Sequence, residues 1–282
     1  MSVLKILIIP NFTKEDAVAK TNQVCCMLYS AGCELYMHSY KAENILPGLI
    51  NCEPDLNALL EKCHIVIALG GDGTIIHSAK LASAHKKPVL GINLGRLGYT
   101  AAIEFSEIDL LKNLLNGEFE IERRMMLCAR ATQGGEERSF YAVNDMVVHG
   151  ELARILDFSV RPEGGIPLHY RADGMIAATP TGSTAYALAA GGPVIDPSLQ
   201  SILITPICAH SLFARPIIFN EKSLIEISAN GIMHLTADGE DSLTLEAGHS
   251  VIIEKSSADA LFIRIKNRYF ADILTEKFKE RT

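Results

Sequence analysis

Five residues, Gly70-Gly71-Asp72-Gly73-Thr74, set one carboxylate among three glycines. They follow an apolar run, Ile65-Val66-Ile67-Ala68-Leu69, and precede Ile75, Ala79 and Ala82 at helical spacing. That order predicts a strand, a glycine turn and a helix. Glycines carry no Cβ, so the turn can fold sharply and let a polyphosphate approach the backbone. The N–H groups that open the helix then face the anion. A carboxylate repels phosphate, so Asp72 needs a purpose there: a metal to hold, a hydroxyl to deprotonate or a ribose to bind. Its place at the carboxyl end of a strand is the ligand edge of an α/β sheet. The stretch is neither the dinucleotide fingerprint G-x-G-x-x-G nor the P-loop G-x-x-x-x-G-K-[ST]. By itself it points to nucleotide or phosphoryl chemistry.

A second loop is dense in hydroxyls. Thr179-Pro180-Thr181-Gly182-Ser183-Thr184-Ala185-Tyr186 follows the strand-like run Met175 to Ala178. Ser183 is expected to cap a helix reaching about Ala190, whose free N–H groups suit a base, an amide or a phosphate. Tyr186 offers a ring on which a planar ligand can stack. Taken singly, these residues read as a capped turn; as a cluster they read as a ligand contact. Asn144-Asp145, ending a strand expected at Tyr141 to Val143, pairs an amide with a carboxylate. Such a pair can read an adenine edge and a ribose diol together. Asp173 precedes the strand leading to the second loop. Asp238-Gly239 reads as an ordinary turn, with Asp238 structural. His149, His169 and His234 lie in strand-like segments and read as structural. Tyr99 is expected either near the glycine turn or in the core.

Those loops need a scaffold, and the chain can supply one. Its 282 residues, 48% hydrophobic, suffice for one large core or two modest ones. A net charge of −7 leaves no basic excess for nonspecific nucleic-acid binding. No apolar run reaches the ~18 residues that span a bilayer. The amino end, Val3 to Ile9, reads as a strand rather than a signal peptide. Seven cysteines without a C-x-x-C spacing read as reduced thiols of a cytoplasmic protein. The histidines show no H-E-x-x-H, so no zinc site is expected.

Up to Gly117 strands and helices alternate, which predicts a parallel sheet covered by helices. One helix face carries Val18, Thr21, Cys25 and Leu28 and stops at Gly32. Asp55 and Ser106 are expected as N-caps. After Gly117 short strands and turns take over, with hairpins at Gln133 to Glu136 and Glu163 to Gly165. Later strands include Val251 to Glu254 and Phe262 to Ile265. The tail from Ala271 to Lys279 reads as a helix of mixed charge. The expected fold is therefore an α/β, Rossmann-like domain (1–117), an all-β domain with one inserted helix (118–265) and a tail (266–282). A cleft between packed domains is the expected place for a ligand.

In order and spacing, the motifs resemble the NAD kinase family. They are Gly70 to Thr74, Gly91 to Tyr99, Val143-Asn144-Asp145, Arg171 to Gly174, Thr179 to Pro193 and His210 to Pro216. The first is shared with diacylglycerol and sphingosine kinases; Thr179 to Pro193 is far more particular. The resemblance implies ATP- and Mg²⁺-dependent phosphorylation of the 2′-hydroxyl of the adenosine ribose of NAD, with the metal held through ATP. It implies an α/β domain, a β-rich NAD-binding domain and a chain end that returns to the first domain. It also implies a homodimer or homotetramer whose NAD sites draw on a neighbouring subunit.

By the same resemblance, Asp72 is the general base, on a phosphate turn of Gly70, Gly71 and Thr74. Gly73 lines the pocket and His77 faces phosphate or ribose. Asn144 and Asp145 contact the adenosine half, and Arg154 and Arg171 meet anionic groups. Asp173, Thr181, Ser183, Thr184, Ala185, Tyr186 and Ala189 bind the base and nicotinamide ends, and Glu240 is a further polar contact. The family commonly carries glutamate at position 145; the shorter aspartate changes the reach to ribose, where a water can bridge. Two other classes compete: a lipid kinase of the same superfamily, which needs an apolar acceptor groove or membrane contact, for which the acidic chain offers no basic surface helix, and a pyridine-nucleotide sensor without turnover.

Overall fold

The computed structural model describes residues 3–43, 45–95, 98–151, 154–211, 214–267 and 269–279. The chain divides into two compact units, Met1–Arg123 with Ala260–Thr282, and Arg124–Asp259.

The first unit alternates strand and helix. Its strands are β1 (Lys5–Pro10), β2 (Glu34–His38), β3 (Asn51–Glu53), β4 (Ile65–Gly70), β5 (Val89–Asn93) and β6 (Ile103–Glu104). Between and after them lie α1 (Ala17–Ser30), α2 (Ser39–Ala42), α3 (Leu56–Lys62), α4 (Asp72–Ser83) and α5 (Leu111–Leu115). The strands pair in parallel in the order β3-β2-β1-β4-β5, with β6 beyond β5. The chain builds outward from β1 to β3, then returns to start again at β4 beside β1. That reversal is a topological switch point, and the glycine turn leaves β4 at its carboxyl edge. Parallel strands covered on both faces must be apolar throughout, and every residue of β4 and β5 is buried.

Local signals explain several of the helix limits. Asp55 caps α3 by accepting from the N–H groups of Asn57 and Ala58, at 2.9 and 3.3 Å. Gly32 and Gly117 adopt φ of +83° and +77° past the ends of α1 and α5. Two expectations shift. The buried face of α1 is Ala17, Thr21, Val24, Cys25 and Leu28, while Val18 points outward at 37% exposure. Ser106 is not a cap but sits inside a 3₁₀ turn, Phe105–Leu110. The chain enters that turn at Glu104, whose N–H donates to the Glu107 carboxylate at 2.9 Å.

The second unit is built of strands. Those after β6 are β7 (Glu120–Gln133), β8 (Glu136–Ala142), β9 (Asp145–Gly150), β10 (Leu156–Pro162), β11 (Leu168–Ala172) and β12 (Gly174–Ala178). A short helix, α6 (Tyr186–Ala189), interrupts before β13 (Ser201–Ile207), β14 (Ile217–Asn220), β15 (Ile225–Ala229), β16 (Met233–Ala237), β17 (Asp241–Leu245) and β18 (Ser250–Arg264). An antiparallel sheet runs β14-β13-β12-β9-β16-β17. A second antiparallel set places β10 between β11 and β15. The hairpin between β7 and β8 turns on Gly134-Gly135, both at positive φ, as a two-residue loop requires. Asn144-Asp145 does not end a strand: β8 stops at Ala142 and Asp145 opens β9. The two late strands expected at Val251 and Phe262 are one strand, β18.

Each unit has its own apolar core. Ile6, Leu28, Ile67, Ile92 and Ile263 belong to the first, and Leu127, Val148, Phe158, Met175 and Ile204 to the second. The final helix, α7 (Phe270–Lys279), belongs to the first unit and buries Ile273. Burial pushes the Cys25 and Cys63 thiols up to about 12, so both act as small apolar groups.

Candidate active site

The glycine turn of the first unit is held by steric fit. The strand β4 ends at Gly70, Gly71 is extended, and α4 begins at Asp72, three residues earlier than the sequence pattern places it. A carboxylate in a first helical turn is favoured by the helix dipole. The first intrahelical bond runs from the Ile75 N–H to the Gly71 carbonyl. The N–H groups of Asp72, Gly73 and Thr74 therefore have no partner within the helix. A Cβ on Gly70 would lie 2.4 Å from Thr74 Oγ1, so only glycine lets the turn close this tightly. Across the switch point, Asn11 Nδ2 donates to Thr74 Oγ1 at 3.0 Å. His77 stands one turn beyond Gly73 on the same helix face.

Asp72 is half-buried and tied to the loop that follows β5. Its Oδ2 accepts from the Tyr99 N–H at 3.0 Å, and its Oδ1 accepts from the Thr100 N–H at 2.9 Å and the Thr100 hydroxyl at 2.6 Å. The Tyr99 backbone therefore lies beside the glycine turn. The Lys277 ammonium of α7 sits 5.5 Å from the Tyr99 ring centroid. Among the described residues no group of three or more His, Cys, Asp and Glu converges as a metal site.

In the second unit a cavity of about 680 Å³ opens beside β9 and α6, within the range of nucleotide-sized sites. Its lining brings together Asn144, Asp145, Asp173, Ala185 and Tyr186, all singled out from sequence. It adds Asp238, His149, Thr236, Ile207 and Cys208, which were not assigned to a ligand. Asp238 is structural, as its Asp-Gly turn suggests. Its carboxylate accepts from three successive N–H groups, those of Val143, Asn144 and Asp145, at 2.8, 2.8 and 3.1 Å. It therefore fixes the Asn144-Asp145 corner while itself lining the cavity. Asp145 is 6% exposed. Burial and the neighbouring Asp238 carboxylate push its pKa up to about 7, against an opposing hydrogen bond from the Tyr186 backbone.

The hydroxyl-rich loop mostly builds itself. Thr179 Oγ1 donates to the Val143 carbonyl at 2.6 Å and accepts from the Gly182 N–H at 3.0 Å. Ser183 is fully buried; its hydroxyl donates to the Pro180 carbonyl and accepts from the Ile195 N–H. Thr184 Oγ1 donates to the Thr181 carbonyl. The helix expected from Ser183 is broken: a 3₁₀ turn spans Thr181–Thr184, and α6 starts after Ala185. Engagement of the Ser183 hydroxyl within the loop removes it as a cap. The structure thus places Ala185 and Tyr186 on the cavity wall, the tyrosine 46% exposed, and leaves Thr181, Ser183 and Thr184 off it. Arg154, Arg171, Ala189 and Glu240 are exposed and also off that wall. Arg96-Leu97 and Leu212-Phe213, within two of the sequence motifs, lie outside the described residues.

Comparison with known proteins agrees with these motifs. The family model for the ATP-NAD kinase N-terminal domain matches residues 6–119, and that for the ATP-NAD kinase C-terminal domain matches residues 143–265. The NAD kinase of Caldanaerobacter subterraneus subsp. tengcongensis is 36% identical over 283 residues, covering 98% of this chain and 99% of its own. Among solved structures, yeast NADH kinase complexed with NADH gives a TM-score of 0.88 over 97% of this chain and 87% of its own, at 23% identity. An NAD kinase from Archaeoglobus fulgidus in complex with ATP gives 0.74 over 98% and 99%, at 24% identity. These two likenesses speak to the fold. With both domain models matched in order and a relative aligned end to end, the chain belongs to the NAD kinase family.

Proposed function

We infer that the chain transfers the γ-phosphoryl group of ATP to the 2′-hydroxyl of the adenosine ribose of NAD, giving NADP. The observation that carries this reading is Asp72, a carboxylate fixed at the opening of α4 on the switch-point edge of a parallel sheet. An alcohol is a weak nucleophile at neutral pH. Asp72 accepts its proton as the ribose oxygen bonds to the γ-phosphorus, and the bond from that phosphorus to the bridging oxygen of ADP breaks. A positioned base of this kind contributes ~10²–10⁴-fold. The rest of the barrier is met by alignment and by neutralising charge on the transferred group. Mg²⁺ enters with ATP as part of the donor substrate, and the N–H groups of Asp72, Gly73 and Thr74, which have no partner within the helix, supply fixed dipoles.

The second unit holds the acceptor. The Asn144 amide and the Asp145 carboxyl read the adenosine half, and the Tyr186 ring gives a stacking face. Seven unpaired cysteines fit a reducing, cytoplasmic setting. The test is a coupled assay of the purified chain with NAD and Mg·ATP, reading NADP through an NADP-specific dehydrogenase. NADP formation that stops on chelation of Mg²⁺ is expected. Binding of NAD without NADP formation would replace the kinase by a sensor.

A further inference from the structure

Asp72 does not present both of its oxygens equally. An ionised carboxylate has about four lone-pair sites over its two oxygens. Oδ1 accepts two hydrogen bonds from a single residue, the N–H and the hydroxyl of Thr100, at 2.9 and 2.6 Å. Oδ2 accepts one, from Tyr99 N–H at 3.0 Å. Among the described residues, Oδ1 is therefore saturated and one site on Oδ2 stays open. The 2.6 Å bond falls in the charge-assisted O–H···O⁻ range. The neighbouring backbone is close as well: a Cβ on Gly98 would lie 2.5 Å from Oδ1. Three donors in fixed directions prevent the carboxylate from turning about its terminal torsion, which is otherwise soft.

We propose that Thr100 is a positioning residue for phosphoryl transfer: it occupies Oδ1 with its N–H and hydroxyl and leaves Oδ2 as the atom that accepts the 2′-hydroxyl proton. The proposal rests on the reading of Asp72 as proton acceptor. In the step, the ribose O–H bond breaks and its proton goes to Oδ2. The electron pair stays on the ribose oxygen, which bonds to the γ-phosphorus, and ADP leaves with the bridging oxygen. Thr100 acts through Asp72, to which both of its donors are given. Removing its hydroxyl frees a site on Oδ1 and lets the carboxylate turn, so the proton acceptor is no longer held in one place.

Steady-state kinetics of the full chain and of Thr100→Val, Thr100→Ser and Asp72→Asn test this. Thr100→Val should lower kcat roughly tenfold with the KM of NAD and of ATP within about twofold, because only a transition-state interaction is lost. Thr100→Ser, which keeps the hydroxyl, should return kcat to within about threefold of the original chain. Should the valine variant not fold, Thr100→Cys, a weaker donor of similar size, carries the same expectation. An unchanged kcat in Thr100→Val beside an inactive Asp72→Asn would overturn the role of Thr100 and leave Asp72 standing. A serine variant as slow as the valine variant would overturn it too, since packing of the methyl group would then be the cause. Full turnover in Asp72→Asn would remove the base and with it any need to position it.

Discussion

The surroundings of Asp145 favour its protonated form. Burial and the facing Asp238 carboxylate push its pKa from an ordinary 3.8 up to about 7. Between those two values the folded chain keeps a proton that the unfolded chain has released, so stability falls as pH rises through that window. Below the window both states are protonated and the penalty is absent. Asp145→Asn has no proton to lose there. Its stability relative to the original chain should therefore rise by ~2 kcal/mol from about pH 5 to about pH 8. Thermal melts at the two pH values read this directly, and a constant difference would contradict it. Asp72 was legible in sequence because a carboxylate among glycines needs a reason to be there. The role of Thr100 was not, and although Asp238 read as structural, the groups it holds were not legible either. Their partners lie 28 and 93 to 95 residues away, and spacing within a motif carries no sign of such contacts.

Elements position these residues through close backbone approach. Gly182, in the 3₁₀ turn before α6, packs against the start of β9. A Cβ there would lie 2.1 Å from the Asn144 carbonyl oxygen. That oxygen also accepts from the Thr179 N–H at 2.8 Å, so it has little room to retreat. Gly182→Ala should cost roughly 1–3 kcal/mol of stability. It should also displace Asn144 and raise the KM for NAD at least about tenfold, with a smaller change in kcat. Melting curves and NAD titrations check both; an unchanged KM would detach Gly182 from the acceptor site. Strands β1, β4 and β5 of the parallel sheet were legible because their apolar runs are continuous, whereas β3, Asn51-Cys52-Glu53, has no such run and was missed. The strand β18 was read as two because Lys255-Ser256-Ser257 breaks its apolar pattern. The helix expected at Ser183 failed because sequence cannot show that a capping hydroxyl is spent on Pro180 and Ile195.

On the scale of the whole chain, an acidic balance of −7 and an α/β unit joined in sequence to a β-rich one suit a small anionic nucleotide handled locally rather than a polyanion or a lipid surface. No helix of the described residues is long and apolar enough to cross a membrane. Co-sedimentation with anionic vesicles is expected to leave the chain in the supernatant, and retention by the vesicles would favour a lipid acceptor. We propose a homodimer or homotetramer, as the family resemblance implies; light scattering at assay concentration should give two or four chain masses, and a single mass would contradict it. The central claim concerns Asp72 alone, and the most direct measurement pairs single-turnover kinetics of Asp72→Asn with calorimetric titration of NAD. Loss of phosphoryl transfer with NAD affinity held within about threefold is the predicted result, because the interaction removed belongs to the transition state. Transfer near the original rate would contradict the account, and so would a loss that follows entirely from failed NAD binding.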